Sequence, residues 1–391
     1  MDSAEREGLR PKGNVPNLRF PEFQGEWEKC KLEDIINFST TRVNSSELNK
    51  DNYVSTENML QDYQGIVKAK SVPEDVNVVS FSCGDILISN IRPYLKKVWK
   101  ATFNGGCSSD VFVLKANDNI ESDYLHYVIA NDKFINFVMS GAKGVKKPRG
   151  DKKQMETYSL SLPQIQEQHK IARLLSLLDE RISTQNKIIE DLKKLKSAII
   201  EIEYTPNTKT TSHIGDVIEQ ISKRNKNNAI KNVLSVSNRQ GFIKQSDQFE
   251  NRNIASEDTS NYKIVEQNNF AFNPARINVG SIARLTTFEK GIVSPMYICF
   301  RTQENVAPEY IDFFFESKHF YCEIQKRLEG SVRQCLSFEG LCNIPFSLPS
   351  LEMQQRIGKR LFTLGQKIKT ETDLLELLNK QKLYLLRQMF I

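Results

Sequence analysis

Long apolar runs are missing from this chain of 391 residues. No stretch approaches the roughly 18 consecutive apolar residues of a transmembrane helix. The opening MDSAEREGLRPKGN has no apolar centre of the signal-peptide kind. Both absences lead to the expectation of a cytoplasmic protein without membrane contact. Paired cysteines are missing too. The seven cysteines (Cys30, Cys83, Cys107, Cys299, Cys322, Cys335, Cys342) are scattered, odd in number and never spaced Cys-x-x-Cys, which argues against a disulfide framework or a zinc site. The four histidines (His126, His169, His213, His319) stand alone and are read as surface or core residues, with no metal role.

Catalytic signatures are equally scarce. There is no Gly-x-x-x-x-Gly-Lys-Ser/Thr loop for ATP phosphates and no Gly-x-Gly-x-x-Gly turn for a dinucleotide. Asn273-Pro274-Ala275-Arg276 has the outline of the Asn/Asp-Pro-Pro-aromatic turn of amino-methyltransferases, but it lacks the second proline and the ring that stacks on a flipped base. Asp191-Leu192-Lys193 matches a minimal nuclease fragment and reads as the solvated face of a charged helix. No nucleophile constellation is present. Charge of one sign is not strongly dominant: 54 Lys plus Arg against 48 Asp plus Glu gives +6, which permits nucleic-acid binding without showing it. With 39% hydrophobic residues, the chain can fill the cores of two or three domains.

The most informative absence is local. From Pro163 to Pro206 the chain runs roughly 40 residues without Gly or Pro, a long helical pattern. Steps of four and three through it give Ile171, Leu175, Leu178, Ile182, Gln185, Ile189, Leu192, Lys196 and Ile199, an apolar seam with two polar interruptions. The pattern returns near the end of the chain, where Leu348-Pro349 echoes Leu162-Pro163. The second seam is Ile357, Leu361, Leu364, Ile368, Glu371, Leu375, Leu378, Lys382 and Leu385, interrupted at the same two places. Matching seams predict that the two helices pair. A helix that merely covers its own domain would be shorter than the roughly 60 Å these lengths imply.

The remainder also repeats. A flexible lead is expected over residues 1–16, a mixed α/β (α+β) domain over 17–161, a long helix over 162–204, a second such domain over 205–347 and a second long helix over 348–391. Gly84 to Arg92 corresponds to Asn268 to Arg276, and Asp110-Val111-Phe112-Val113 to Pro295-Met296-Tyr297-Ile298. One amphipathic helix is predicted over Ser122–Ser140. At the spacing that separates Leu162 from Leu348, Phe134 falls on Phe320 and Gly144 on Gly330. The globular parts differ more between repeats than the helices do, so one scaffold carries two reading surfaces.

Binding candidates follow from charge placement. The stretch from Gly141 to Lys153 holds six cations (Lys143, Lys146, Lys147, Arg149, Lys152, Lys153) and one anion. Its glycines permit close backbone approach, and its cations can neutralise phosphates. A solvated loop is the plain alternative. Against it stands the equivalent loop of the second repeat, where Ser331, Arg333 and Gln334 follow Gly330; Arg suits guanine and Gln suits adenine. A second cluster per domain is formed by Arg92, Tyr94, Lys96 and Lys97 in one and by Asn273, Arg276 and Asn278 in the other, with Arg239 as a further DNA-binding candidate. Phosphate contacts are expected to outnumber base contacts.

At this point the chain resembles the specificity subunit of a type I restriction–modification enzyme. The resemblance is carried by Val15-Pro16-Asn17-Leu18-Arg19-Phe20-Pro21 with Gly25-Glu26-Trp27, by Tyr53 to Met59, by Gly330-Ser331-Val332-Arg333-Gln334, and by both Leu-Pro-x-x-x-x-Gln helix starts. It covers nearly the whole chain. It implies two target recognition domains, each reading half of a bipartite DNA sequence. It implies two long helices packed as an antiparallel coiled coil, in a pseudo-two-fold internal repeat, that set the spacer. It further implies docking of two methyltransferase subunits and up to two motor-nuclease subunits. The chain itself would be non-catalytic, and S-adenosylmethionine, ATP and Mg would bind the partners. Where the first domain has Gly144-Val145-Lys146-Lys147 the second has Gly330-Ser331-Val332-Arg333, so base contacts do not transfer between domains. Competing readings are a stand-alone DNA-binding regulator and a coiled-coil scaffold; the regulator binds tightly alone, the scaffold shows no DNA dependence, and a neighbouring adenine methyltransferase gene favours the specificity subunit.

Overall fold

The computed structural model describes residues 13–205, 212–238, 240–248, 258–330 and 334–391. It divides into two compact units, one running through Gln185 and joined by Leu374–Ile391, the other spanning Asn186–Asp373. Each unit therefore takes part of both long helices.

In the first unit, β1 (Glu28–Lys31) pairs antiparallel with β10 (Ser159–Leu162). One four-stranded sheet has the order β2 (Ile36–Phe38), β9 (Val111–Ala116), β6 (Ile86–Ser89), β7 (Val98–Lys100). The Ile-Leu-Ile-Ser run of β6 is buried on both faces, as a central strand of apolar residues should be. The second sheet has the order β3 (Arg42–Asn44), β5 (Asn77–Phe81), β8 (Gly105–Cys107), β4 (Tyr53–Val54). A side chain at Gly105 would collide with the Asn52 carbonyl oxygen, so this position admits only glycine. Helices α1 (Ser122–Ile129), α2 (Asp132–Ser140) and α3 (Lys152–Glu156) lead to the long α4 (Ile165–Tyr204). The single helix expected over Ser122–Ser140 is thus two. Ala130 leaves the helical region, and the Asn131 side chain accepts from Lys133 N at 3.0 Å, capping a fresh start. Within the expected lead, Asn14 bonds Trp27 N through its carbonyl (2.8 Å) and Ser161 Oγ through its side chain (2.7 Å).

The second unit repeats this plan. It comprises β11 (Ser212–His213) paired with β20 (Pro345–Phe346), and a sheet ordered β12 (Ile218–Ile221), β19 (Ile298–Thr302), β16 (Phe270–Phe272), β17 (Ile282–Arg284). The other sheet is β14 (Gly241–Lys244), β13 (Val233–Ser237), β18 (Lys290–Val293), β15 (Lys263–Glu266). Its parallel β13–β18 pair matches β4–β8, and β15 matches β5. The fourth strand differs: β3 flanks β5 in one unit, whereas β14 flanks β13 in the other. Helices α5 (Pro308–Phe314), α6 (Lys318–Gln325), α7 (Phe338–Cys342) and α8 (Leu351–Gln388) follow α1 to α4 at one constant interval, the same that separates Leu348 from Leu162. One sequence correspondence needs correction. Ile88 lies opposite Phe112 and Phe272 opposite Ile298, so Phe112, not Val113, is the counterpart of Ile298. Alternating apolar patterns tolerate a one-residue slip on paper, but the ladder does not.

The seam is real and the helices run antiparallel in each unit. In the first, Ile171, Leu175 and Leu178, with Ile182 beside them, share a core with Leu378 and Leu385. In the second, Ile199 shares one with Ile357, Leu361 and Leu364. Ile189 is buried, and Leu192, Ile368 and Leu375 are half-buried. Each helix start is bolted to its own domain by a buried glutamine. Gln168 donates to Pro163 O (2.9 Å) and accepts from Glu121 N (2.8 Å) ahead of α1. Gln354 donates to Pro349 O (2.9 Å) and accepts from Ala307 N (2.9 Å) ahead of α5. This explains the Leu-Pro-x-x-x-x-Gln motif: the amide satisfies two backbone groups that burial would otherwise leave unpaired. The far ends are held by aromatic pairs, Tyr124 on Phe390 (5.3 Å) and Tyr310 on Tyr204 (4.8 Å).

Candidate nucleic-acid interface

In the first unit two sequence-distant loops meet. After β6 the chain makes a one-turn 3-10 helix, Pro93–Leu95, flanked by Arg92 and Lys96. Both flanking residues are left-handed, with φ of 50° and 53°, a strain on the order of 1 kcal/mol or more each. Proline presets the first helical φ, and long-range bonds hold the rest. Arg92 N donates to Pro148 O (2.7 Å), and Tyr63 N donates to Lys96 O (2.9 Å). The second loop is a hairpin tip closed by reciprocal backbone bonds between Lys143 and Arg149 (3.0 and 2.9 Å), with Gly144 at φ 95°. Gly150 N donates to Asn90 O (2.9 Å), completing the join.

Internal pairs sort the cations. Arg149 is bound to Asp110 (2.7 Å) and Lys143 to Asp151 (2.8 Å). The Lys143 ammonium, helped by the Gln154 backbone N–H, holds the Asp151 carboxyl below its usual range. Lys152 lies over the Phe38 ring at 4.6 Å, beside a cavity of about 480 Å³ between the two sheets. Lys96 pairs with Asp132 (2.8 Å). Lys97 turns inward to the Thr56 carbonyl, and burial, then nearby Arg92, push its pKa down. Lys146, Lys147 and Lys153 are exposed and have no ion-pair partner among the described residues. Tyr94 is exposed, whereas Arg92 is half-buried with its Nε unpartnered.

The second unit builds the same junction. Arg276 precedes the 3-10 turn Ile277–Val279, and Gly280 at φ 89° takes the place of Lys96. Glu329 and Cys335 exchange backbone bonds (2.9 and 2.8 Å), Gly330 has φ 105°, and Leu336 N donates to Pro274 O (3.1 Å). Here Arg276 is exposed with an ordinary negative φ, Asn273 caps its own turn by accepting from Ala275 N (3.1 Å), Asn278 is half-buried and Gln334 is exposed. Ser331, Arg333 and Arg239 lie outside the described residues.

A family model described as the type I restriction modification DNA specificity domain matches this chain twice, over residues 24–194 and 206–380. The chain belongs to that family. It is 26% identical over 412 aligned positions to the putative type I restriction enzyme MjaX specificity subunit of Methanocaldococcus jannaschii, covering 94% of this chain and 92% of that protein. It is 25% identical over 314 positions to the MjaVIII specificity subunit of the same organism, covering 71% and 72% respectively. The crystal structure of the type I restriction-modification system S subunit from M. genitalium shares its fold, with a TM-score of 0.62 at 16% identity over 96% of this chain and 99% of that one.

The protein is thus a type I specificity subunit with two DNA recognition domains, and the two junctions occupy equivalent places in them. Sequence reasoning named most of the junction residues but treated the two clusters as separate. It did not pair Asp110 and Asp151 with the hairpin, where they withdraw two of its six cations, and it gave Val145 at the tip no role. An acid immediately before a strand, as Asp110 is before β9, was the available signal for the first. No helix among the described residues is long and apolar enough to cross a membrane.

Proposed function

We propose that each recognition domain reads one half of a bipartite duplex sequence through its turn-and-hairpin junction, and that the helix pair sets the spacer between the halves. The carrying observation is that two unlike domains close equivalent hairpins and tie each to its turn by one equivalent backbone bond, Gly150 N to Asn90 O in the first and Leu336 N to Pro274 O in the second, while the exposed side chains differ. That is what one mounting for two different readers requires. Lys146, Lys147 and Lys153 in one domain, and Arg276 with Gln334 in the other, are the groups free to meet DNA. Double-stranded DNA is the ligand, phosphates taking the lysines and base edges taking Arg and Gln.

The partners follow from the outer helix surfaces. Leu177, Ile188, Leu195 and Ile202 on α4, and Phe362, Leu377 and Tyr384 on α8, are exposed, more apolar surface than a solitary helix pair needs. Two methyltransferase subunits cover it, and up to two motor-nuclease subunits join through them. S-adenosylmethionine, ATP and Mg serve those partners, and this chain performs no bond chemistry.

The spacer reading is tested by inserting four residues, about one helical turn, after Lys187. Long-read methylation mapping is expected to show a longer spacer with both half-sites unchanged. An unchanged spacer in an assembled, active complex would discard the helix pair as the measuring element.

A further inference from the structure

Val145 is fully exposed, unlike any other large apolar residue described. A lone exposed apolar residue is ordinary; its mounting is not. The reciprocal Lys143–Arg149 bonds and the left-handed Gly144 fix the hairpin, and buried Pro148 anchors its returning limb to the Arg92 turn. Lys143 and Arg149, at the base, are neutralised by Asp151 and Asp110. Lys146 and Lys147 follow Val145 directly and remain unpaired among the described residues. The branched hydrocarbon of Val145, at the end of this rigid, electropositive tip, has no hydrogen bond of its own to offer a base. The feature of a base edge that a hydrocarbon can recognise in the major groove is the thymine 5-methyl group.

We propose that Val145 is a specificity-determining residue of the first recognition domain, packing against the 5-methyl group of one thymine while Lys146 and Lys147 hold the adjoining phosphates. This rests on the junction being the DNA-reading face. The second domain has Ser331 at the equivalent position, so the two half-sites are expected to differ in this respect.

Deoxyuridine differs from thymidine only by that methyl group, which makes a direct test. The full chain, co-purified with its methyltransferase subunit, is bound to the duplex that methylation mapping identifies, with each thymidine of both half-sites replaced in turn by deoxyuridine. One position is expected to weaken wild-type binding about fourfold, the worth of one buried methyl. Val145→Ser is expected to bind the two duplexes equally, and Val145→Ile to keep the difference. Lys146→Ala/Lys147→Ala, measured beside them, is expected to lower affinity on both duplexes and flatten the salt dependence. If that pair responds but no thymine position is sensitive, or Val145→Ser keeps the sensitivity, the methyl contact falls and the reading face stands. If the lysine pair is silent at every salt concentration, the reading face itself falls, and the methyl contact with it.

Discussion

The first and second recognition domains agree most closely where they touch the helices and least where they face outward. Every helix between Ser122 and Tyr204 recurs in the second repeat at one constant interval. Gln168 and Gln354 make the same two bonds. Lys382 lies over Tyr127 at 6.0 Å and Lys196 over Phe313 at 5.1 Å, each from the far half of a long helix. Their acids differ, Asp179 for Lys382 (2.6 Å) and Glu316 for Lys196 (2.6 Å). Away from the helices the outer sheets use different edge strands, and the hairpins carry different side chains. Contacts that mount a domain are shared, whereas surfaces that meet a ligand diverge.

The strongest break in the likeness is Glu167, whose counterpart is Met353. Glu167 is buried and bound by two of the Arg19 guanidinium nitrogens, Nε and Nη2, at 2.8 Å each. Arg19→Ala should cost the first unit about 3 kcal/mol, because a buried carboxylate loses its partner. Arg19→Met/Glu167→Met, which places the second unit's methionine at position 167 and removes the unpaired charge, should recover most of it. Hydrogen exchange read separately over α1 and α5 measures both, and protection lost from α5 instead would contradict the assignment.

The shared glutamines sharpen the likeness. Gln168→Ala and Gln354→Ala should each cost about 1–2 kcal/mol, in their own unit, by stranding buried backbone groups. Urea unfolding followed by the same exchange would expose an inequality greater than about 1 kcal/mol, which would mean the two bolts are not equivalent.

The smallest effect is a difference of sign. His126 and Asp312 occupy equivalent places, each four positions into its helix register as Ser122 and Pro308 begin α1 and α5. Burial, then Lys382, push His126 down to about 4 from 6.5, with Asp179, Lys100 and Asp123 also facing it. Unfolded chain takes up the proton first, so the first unit loses stability as pH falls from about 6.5 to 4. Burial pushes Asp312 up to about 6 from 3.8 against the pull of Arg284, with Glu316 and Lys196 nearby. There the folded form takes up the proton first, so the second unit gains stability as pH falls from about 6 towards 3.8. Exchange protection at about pH 7 and about pH 5.5, corrected for intrinsic rates, should move in opposite directions in the two units. His126→Gln should abolish one trend and Asp312→Asn the other; parallel trends would refute this pairing.

Much of this was legible in the sequence, and for definite reasons. Periodic apolar residues from Ile171 to Ile199 and from Ile357 to Leu385 announce a seam because helix geometry is local. The break at Ala130–Asn131 was not legible, since apolar residues on either side continue a plausible face and only a side-chain cap ends it. The slip between Val113 and Phe112 arose because strand register is set by partners far away along the chain.

The sequence by itself determined that the chain is a tandem repeat, that its two long helices pair, and that positive charge gathers near Gly144. Those properties follow from periodicity and composition, which each segment carries alone. Tertiary structure decided which charges remain free and which loops meet. Asp110 reaches Arg149, and Pro148 receives the Arg92 backbone, only after the sheets bring them together. Ion pairs and backbone bonds act over a few ångströms in space, and nothing in the spacing of these residues along the chain discloses that proximity.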